Sequence, residues 1–223
     1  MIDPPDYENY DYAKEWRHRE LTDLAEKTII RKLAGHPGKT IELGGGFGRI
    51  TQELESISRE CYMVDFSDKN ISEARQRLKK TTIRKCNFFD LPFEDDTFDL
   101  VVMIRVMHHI ESPELIYREM ERVSVNGGTV IVSVPNIIFH RIKKENNISL
   151  LGVGTNGHKI YGGPLESFLY PKFSLEGIYG TGILDNAFGK IFRNLKFLYH
   201  LDTATSRLWK FKNNLFLKFR VVK

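Results

Sequence analysis

Four glycines, Gly44, Gly45, Gly46 and Gly48, fall within five positions directly after the strand-forming run "KTIEL" at 39–43. Side chains so small let a backbone turn sharply, or let a ligand lie against the main chain and its free N–H groups. A bare strand-to-helix turn needs one or two glycines, which favours the ligand. The spacing does not fit the G-x-G-x-x-G of a dinucleotide site: counted from Gly44 the third glycine falls on Arg49, and counted from Gly46 it falls on Thr51. What is present is E-x-G-x-G-x-G, made of Glu42, Gly44, Gly46 and Gly48. A carboxylate at the strand's end would repel a pyrophosphate and suits a ligand with cationic groups. Asp65 closes the next strand, where an acid can accept hydrogen bonds from both hydroxyls of a ribose. The pair of features points to a nucleoside with little or no phosphate.

A second group is His108-His109, just past the fourth strand, where imidazole can serve as a base if the acceptor carries a proton to be removed. The bland alternative is a helix-start histidine bonded to backbone. Lys143, Lys144, His158, Lys159 and Arg193 form a third group that could hold an anionic headgroup.

These residues need elements to position them. Residues 12–33 read as a helix with Ala13, Trp16, Leu21, Leu24, Ile29 and Leu33 broadly on one side, stopped at Gly35. After the glycines, Ile50, Leu54 and Ile57 give a second helix face. Then come "CYMVDF" as a strand, a helix capped by Ser67, "TIRKCNFF" as a strand, and "FDLVVMI" as a strand buried on both faces. Ser112-Pro113 opens another helix, Asn126-Gly127-Gly128 turns the chain, and "TVIVSV" is the fifth strand. Strands alternating with helices imply a parallel sheet with right-handed crossovers. Residues 150–190 hold nine of the seventeen glycines, interleaved with aromatics, and read as a lid or a dimerisation arm. "NLFLKFRVVK" alternates like an edge strand with one wet face; a basic helix on a membrane surface is the other reading.

At 223 residues the chain suits one α/β domain. No stretch has the length of a bilayer-spanning helix, and the acidic, apolar-poor start carries no export signal, so a cytoplasmic setting is expected. Cys61 and Cys86 have no metal-type spacing and are expected as buried free thiols; no metal is expected. Residues 1–136 carry 19 basic and 24 acidic side chains, whereas 137–223 carry 14 and 5. The basic second part suits an anionic partner or a solvated lysine-rich surface. No RNA-binding module is visible, so nucleic acid is not an expected partner.

Taken in order, "IELGGGFGR", "VDFS", "CNFFDLPFEDDTFDLVVMIRVMHHI" and "REMERVSVNGGTVIVSVPN" resemble a class I S-adenosylmethionine-dependent methyltransferase of the group acting on small molecules and lipids. The resemblance covers about residues 12–136. It implies a Rossmann-like, doubly wound, mostly parallel seven-stranded sheet with an antiparallel last strand and an insertion after strand 5. It divides a single domain into a cofactor-binding core (12–136), a lid or substrate insertion (137–195) and C-terminal strands (196–223). It implies that Gly44 and Gly46, with Glu42 nearby, hold the methionine part of S-adenosylmethionine, that Asp65 holds the ribose, and that Phe66 lies against adenine. Asn87 stands where the family usually has an acid for the adenine amino group, and an amide oxygen can still accept that bond. Phe88 would offer its backbone N–H to the ring. The backbone at Ile104 and Arg105 would lie beside the methionine amino group, with the unusual Arg105 side chain free to reach toward substrate. Tyr12 and Trp16 could fold over the cofactor. The implied activity is methyl transfer to a small-molecule or lipid-linked acceptor, anionic where the basic second part holds it, releasing S-adenosylhomocysteine, with His109 or His108 as the candidate base. An inactive cofactor-binding scaffold or sensor, a nicotinamide-dependent oxidoreductase and a homodimeric assembly remain alternatives at this stage.

Overall fold

The computed structural model describes residues 12–17, 19–110, 113–136, 151–153, 159–161, 168–182 and 198–223. Strands β1 (Lys39–Leu43), β2 (Glu60–Asp65), β3 (Thr82–Lys85), β4 (Phe98–Met103) and β5 (Ser124–Pro135) alternate with helices α2 (Glu20–Ala34), α3 (Thr51–Ile57), α4 (Asp68–Arg77) and α5 (Pro113–Val123). A short α1 (Tyr12–Trp16) precedes them. Strands β8 (Phe173–Thr181) and β9 (Asn214–Val221), with α6 (Leu198–Ala204) between them, complete the main sheet. A hairpin of β6 (Leu151–Val153) and β7 (Lys159–Tyr161) forms a separate two-stranded sheet.

The sheet order is β3-β2-β1-β4-β5-β9-β8. The first five strands are mutually parallel and β9 is antiparallel to both its neighbours. The Rossmann-like class, the seven strands and the antiparallel last strand are therefore all present. Alternating side chains feed two apolar layers. Val101, Met103, Val130 and Val132 pack toward α5 through Ile116, Tyr117 and Met120. Leu100, Val102, Ile131 and Phe216 pack toward α2 and α3 through Ile29, Ile30 and Leu54. Burial on both faces explains why "FDLVVMI" reads as an unbroken apolar run.

Local signals account for several boundaries. Ser67 caps α4 by accepting a hydrogen bond from the Asn70 N–H at 3.2 Å. Gly35, at φ +64, ends α2 and its N–H donates to the Arg31 carbonyl. Four expectations are corrected. The helix expected across 12–33 breaks at 17–19, where the Arg19 N–H bonds the Trp16 carbonyl in a tight turn and swings the indole onto Arg49, with the guanidinium 3.5 Å from the ring centre. Asn126-Gly127-Gly128 does not end a helix-to-strand loop. It is a bulge inside β5, where the pairing jumps from Phe98↔Ser124 to Leu100↔Thr129. β9 is not an edge strand: β8 pairs along its outer side from Phe173↔Val221 to Thr181↔Asn214, and Phe216 is fully buried on the face expected to be wet. Residues 173–181, expected within the lid, are this sheet strand, anchored by buried Phe173 and by Glu176 pairing with Lys218 and Arg220. Most other residues of 137–195 lie outside the described ones, including Lys143, Lys144, His158 and Arg193. Cys61 is buried in β2, while Cys86 is half-buried one residue beyond β3.

Among the described residues no helix is long and apolar enough to cross a membrane.

Candidate active site

The carboxyl ends of β1, β2 and β4 meet at the glycine loop. Gly44, Gly46 and Gly48 all take positive φ, at +71, +56 and +80. Their surroundings differ. A Cβ at Gly44 would lie 2.6 Å from Val106 Cγ2, and one at Gly45 would lie 2.5 Å from Met63 Cγ, so both glycines are required by protein packing. A Cβ at Gly46 would meet nothing within 4 Å. Gly46 thus presents bare main chain to open space, which is the arrangement a backbone-hugging ligand needs.

Asp65 ties that loop to the tip of β2. Its Oδ2 accepts from the Gly46 N–H at 2.9 Å, and its Oδ1 accepts from the Ser67 N–H at 3.0 Å and from Asn70 Nδ2 at 3.4 Å. Burial pushes its carboxyl above the ordinary range, opposed by the Ser67 and Gly46 amides. Glu42 is 2% exposed and accepts from the Thr51 hydroxyl at 2.5 Å. Burial pushes its carboxyl up to about 7, with Thr51 and Arg49 pulling the other way and Asp65 adding to the rise. Two acids therefore sit behind the loop with few charges to offset them, an environment that favours a cationic ligand.

Phe66 and Phe88 are half-buried and meet edge to face, ring centres 6.4 Å apart, on the side of Gly44. Asn87 is exposed, and its Oδ1 accepts from the Phe89 N–H at 3.1 Å, so the amide oxygen already has a local partner. His108 and His109 stand in a short 3-10 turn (Met107–His109) after β4, rings 4.0 Å apart. His108 Nδ1 is buried with no hydrogen-bond partner. Burial, then His109 and Arg105, hold the His108 imidazole well below its ordinary pKa, so the ring is neutral at pH 7. The Tyr12 side chain falls outside what the structure describes.

Arg105 departs from the expectation. Its guanidinium turns away toward α2, where Nε and Nη2 donate to Glu26 Oε1 at 2.9 and 2.6 Å. The reason is a charge hub that sequence reasoning missed. Glu26 is fully buried, and its other oxygen accepts from Arg49 Nη2 at 2.6 Å. Trp16 lies under both guanidiniums, with that of Arg105 5.1 Å from its ring centre. Although burial alone would raise it, Arg105 and Arg49 hold the Glu26 carboxyl below the ordinary range. The signal was legible as an acid between Ala25 and Ile29 on the buried side of α2. The hub joins α2 to the end of the glycine loop and to the β4 exit, where Arg105 takes φ +59 and its N–H donates to Ser133 Oγ at 2.8 Å.

Residues 41–132 match the family described as "Methyltransferase domain". Over 134 residues the chain is 29% identical to a probable S-adenosylmethionine-dependent methyltransferase of Mycobacterium tuberculosis, covering 60% of this chain and 45% of that protein. Over 112 residues it is 30% identical to a phosphatidylethanolamine N-methyltransferase of Cereibacter sphaeroides, covering 46% of this chain and 55% of that one. The chain thus spans about half the length of these curated relatives. A SAM-dependent methyltransferase structure from Thermotoga maritima superposes with a TM-score of 0.68 at 16% identity, covering 94% of this chain and 93% of that one, which is a likeness of fold. Sequence match and sheet order together make residues 41–132 a methyltransferase domain, set in a chain whose described strands follow the Rossmann-like methyltransferase fold.

Proposed function

We propose that this chain transfers a methyl group from S-adenosylmethionine to a small-molecule or lipid-linked acceptor. The observation that carries the reading is Gly46, bare toward open space and held by its own N–H to Asp65 at the tip of β2. Two buried carboxylates, Glu42 and Asp65, lie behind that loop, and they suit a ligand that is cationic at one end and carries hydroxyls at the other. When bound, S-adenosylmethionine supplies a methyl group already activated on a sulfonium.

The chain's own residues then have to bind, orient and exclude water. Asp65 would accept from the ribose hydroxyls, Phe66 and Phe88 would flank the base, with Asn87 beside them, and Gly44 and Gly46 would give the methionine end access to main chain. Glu42 behind it, its carboxyl raised to about 7, would be drawn toward its charged form by a cationic ligand. The His108–His109 turn stands at the exit of β4, and β7 packs beside it. That contact supports a cover over the acceptor side built from part of 137–195. A neutral His108 would accept a hydrogen bond from a neutral hydroxyl or amine acceptor only once its buried Nδ1 is uncovered, and His109 would be its neighbour in that role. The phosphatidylethanolamine N-methyltransferase relative supports a lipid amine within this acceptor class.

The test is calorimetry with S-adenosylmethionine on the full chain and on Asp65→Asn, followed by methyl-label transfer to a panel of amines, phenols and lipid headgroups. Tight binding that drops about tenfold or more in the variant is the expected result. Equal affinity in the two proteins would remove Asp65 from the site. Binding with no transfer to any acceptor would turn the reading toward a cofactor-binding sensor.

A further inference from the structure

The segment from α6 to the start of β9 packs with its polarity inverted. Asp202, Ser206 and Lys212 face inward, at 6%, 2% and 0% exposure, while Leu201 and Leu208 face outward at 55% and 56%. The inward groups are committed. Lys212 Nζ donates to Asp202 Oδ1 at 2.6 Å, to the Asp202 carbonyl at 2.9 Å and to Thr205 Oγ1 at 2.9 Å. The Gly182 N–H donates to Asp202 Oδ2 at 2.8 Å, and the Gly180 N–H to the Ser206 carbonyl at 2.8 Å. This network sets the rotation of the segment, and turning the leucines in would break these bonds and pull the Asp202–Lys212 ion pair out of its place. The leucines are therefore held out by their neighbours' bonds.

Within residues 200–213 the exposed charges have one sign. Leu201, Ala204 and Leu208 are spaced i, i+3, i+7 and are all exposed, with exposed Arg207 and Lys210 beside them. The segment's carboxylate, Asp202, is turned inward against Lys212. Half-buried Trp209 lies next to the stripe, and the Lys210 ammonium is 5.9 Å from its ring centre. An apolar stripe rimmed by cations, with its acid hidden, complements a surface that is anionic outside and apolar just beneath. The segment is also fixed in place: Asn136 Nδ2 donates to the carbonyls of Trp209 and Lys212 at 2.9 and 2.8 Å. Asn136 follows β5 at its carboxyl end, the same end of the sheet as the glycine loop and the histidine turn.

We propose that the face formed by Leu201, Leu208, Arg207 and Lys210 docks on an anionic lipid bilayer, at the end of the sheet that carries the glycine loop. The inference concerns where the chain sits and stands whether or not methyl transfer is its chemistry.

The experiment is co-sedimentation of the full chain, without cofactor, with vesicles of phosphatidylcholine alone and of phosphatidylcholine mixed with phosphatidylglycerol. Expected is binding to the mixed vesicles that weakens as salt is added. Leu201→Asp with Leu208→Asp should lower that binding about tenfold or more while the chain stays folded, since more than half of each residue is already in water. Arg207→Ser and Lys210→Ser should each lower it about fivefold and flatten the salt dependence. Absence of binding to mixed vesicles overturns the proposal, as does equal binding by the double leucine variant. Concentration-dependent dimers that the leucine variant abolishes, with no vesicle binding, would overturn it in favour of a contact between copies of the chain. Docking without any methyl transfer would leave this inference intact and count against the transfer reading alone.

Discussion

Gly44, Gly45 and Gly46 are adjacent in sequence and alike in composition, yet packing demands glycine at the first two and not at the third. Alanine at Gly45 would drive a Cβ into Met63, so Gly45→Ala should lose stability, by about 1–3 kcal/mol in urea unfolding, as overpacked sites do. Alanine at Gly46 meets no protein atom and bears only the cost of a left-handed backbone, about 1–2 kcal/mol. Gly46→Val should fold and yet lose S-adenosylmethionine binding by far more than that strain accounts for; a variant that binds normally would reduce the loop to a turn. Glu42 carries a separate signature. Its carboxyl titrates at about 7 in the folded chain against an ordinary value of 4.5, so the folded state keeps a proton that the unfolded chain has released. Stability from this group is complete below about pH 4.5 and is lost as pH rises to about 7. Glu42→Gln should flatten that decline and raise stability at pH 8 by about 1–3 kcal/mol, read from urea midpoints across pH.

At the scale of elements, the hub around Glu26 does what no single strand or helix does. It fastens α2 to Arg49 after the glycine loop and to Arg105 after β4. Glu26→Ala would leave Arg105 without its carboxylate and Arg49, 8% exposed, with Asp23 alone, and is expected to cost about 2–4 kcal/mol in equilibrium unfolding, with Trp16 fluorescence shifting as the stack loosens. An unchanged midpoint would mean that water replaces the carboxylate without loss. This hub shows where reading the sequence stopped. Strand and helix periodicities, the Ser67 cap and the Glu42–Gly46–Asp65 constellation are local patterns and were legible. The partners of Glu26 lie 23 and 79 residues away, and periodicity carries no information about such contacts. The same limit explains Arg105, whose position was legible and whose direction was not. It also explains β9, where the alternation was right but the strand that covers its outer side, β8, was read as part of a lid.

For the whole molecule, the seven strands make one sheet whose carboxyl edge gathers the glycine loop, the histidine turn and the segment carrying Leu201 and Leu208. Hydrogen exchange on the dilute, ligand-free chain should find 173–181 protected along with β9. Rapid exchange there would contradict its pairing in the sheet. The order of the strands in space has a consequence for the order of events in time. β8 touches the sheet through β9 alone, and β9 is made later in the chain. While a ribosome has delivered residues only as far as 213, β8 has no slot to occupy and the flank of β5, the strand of Val130, Val132 and Val134, lies open. During that interval a chaperone has an apolar strand to hold, and a chain stalled there should be captured by one until β9 arrives and zips both gaps at once.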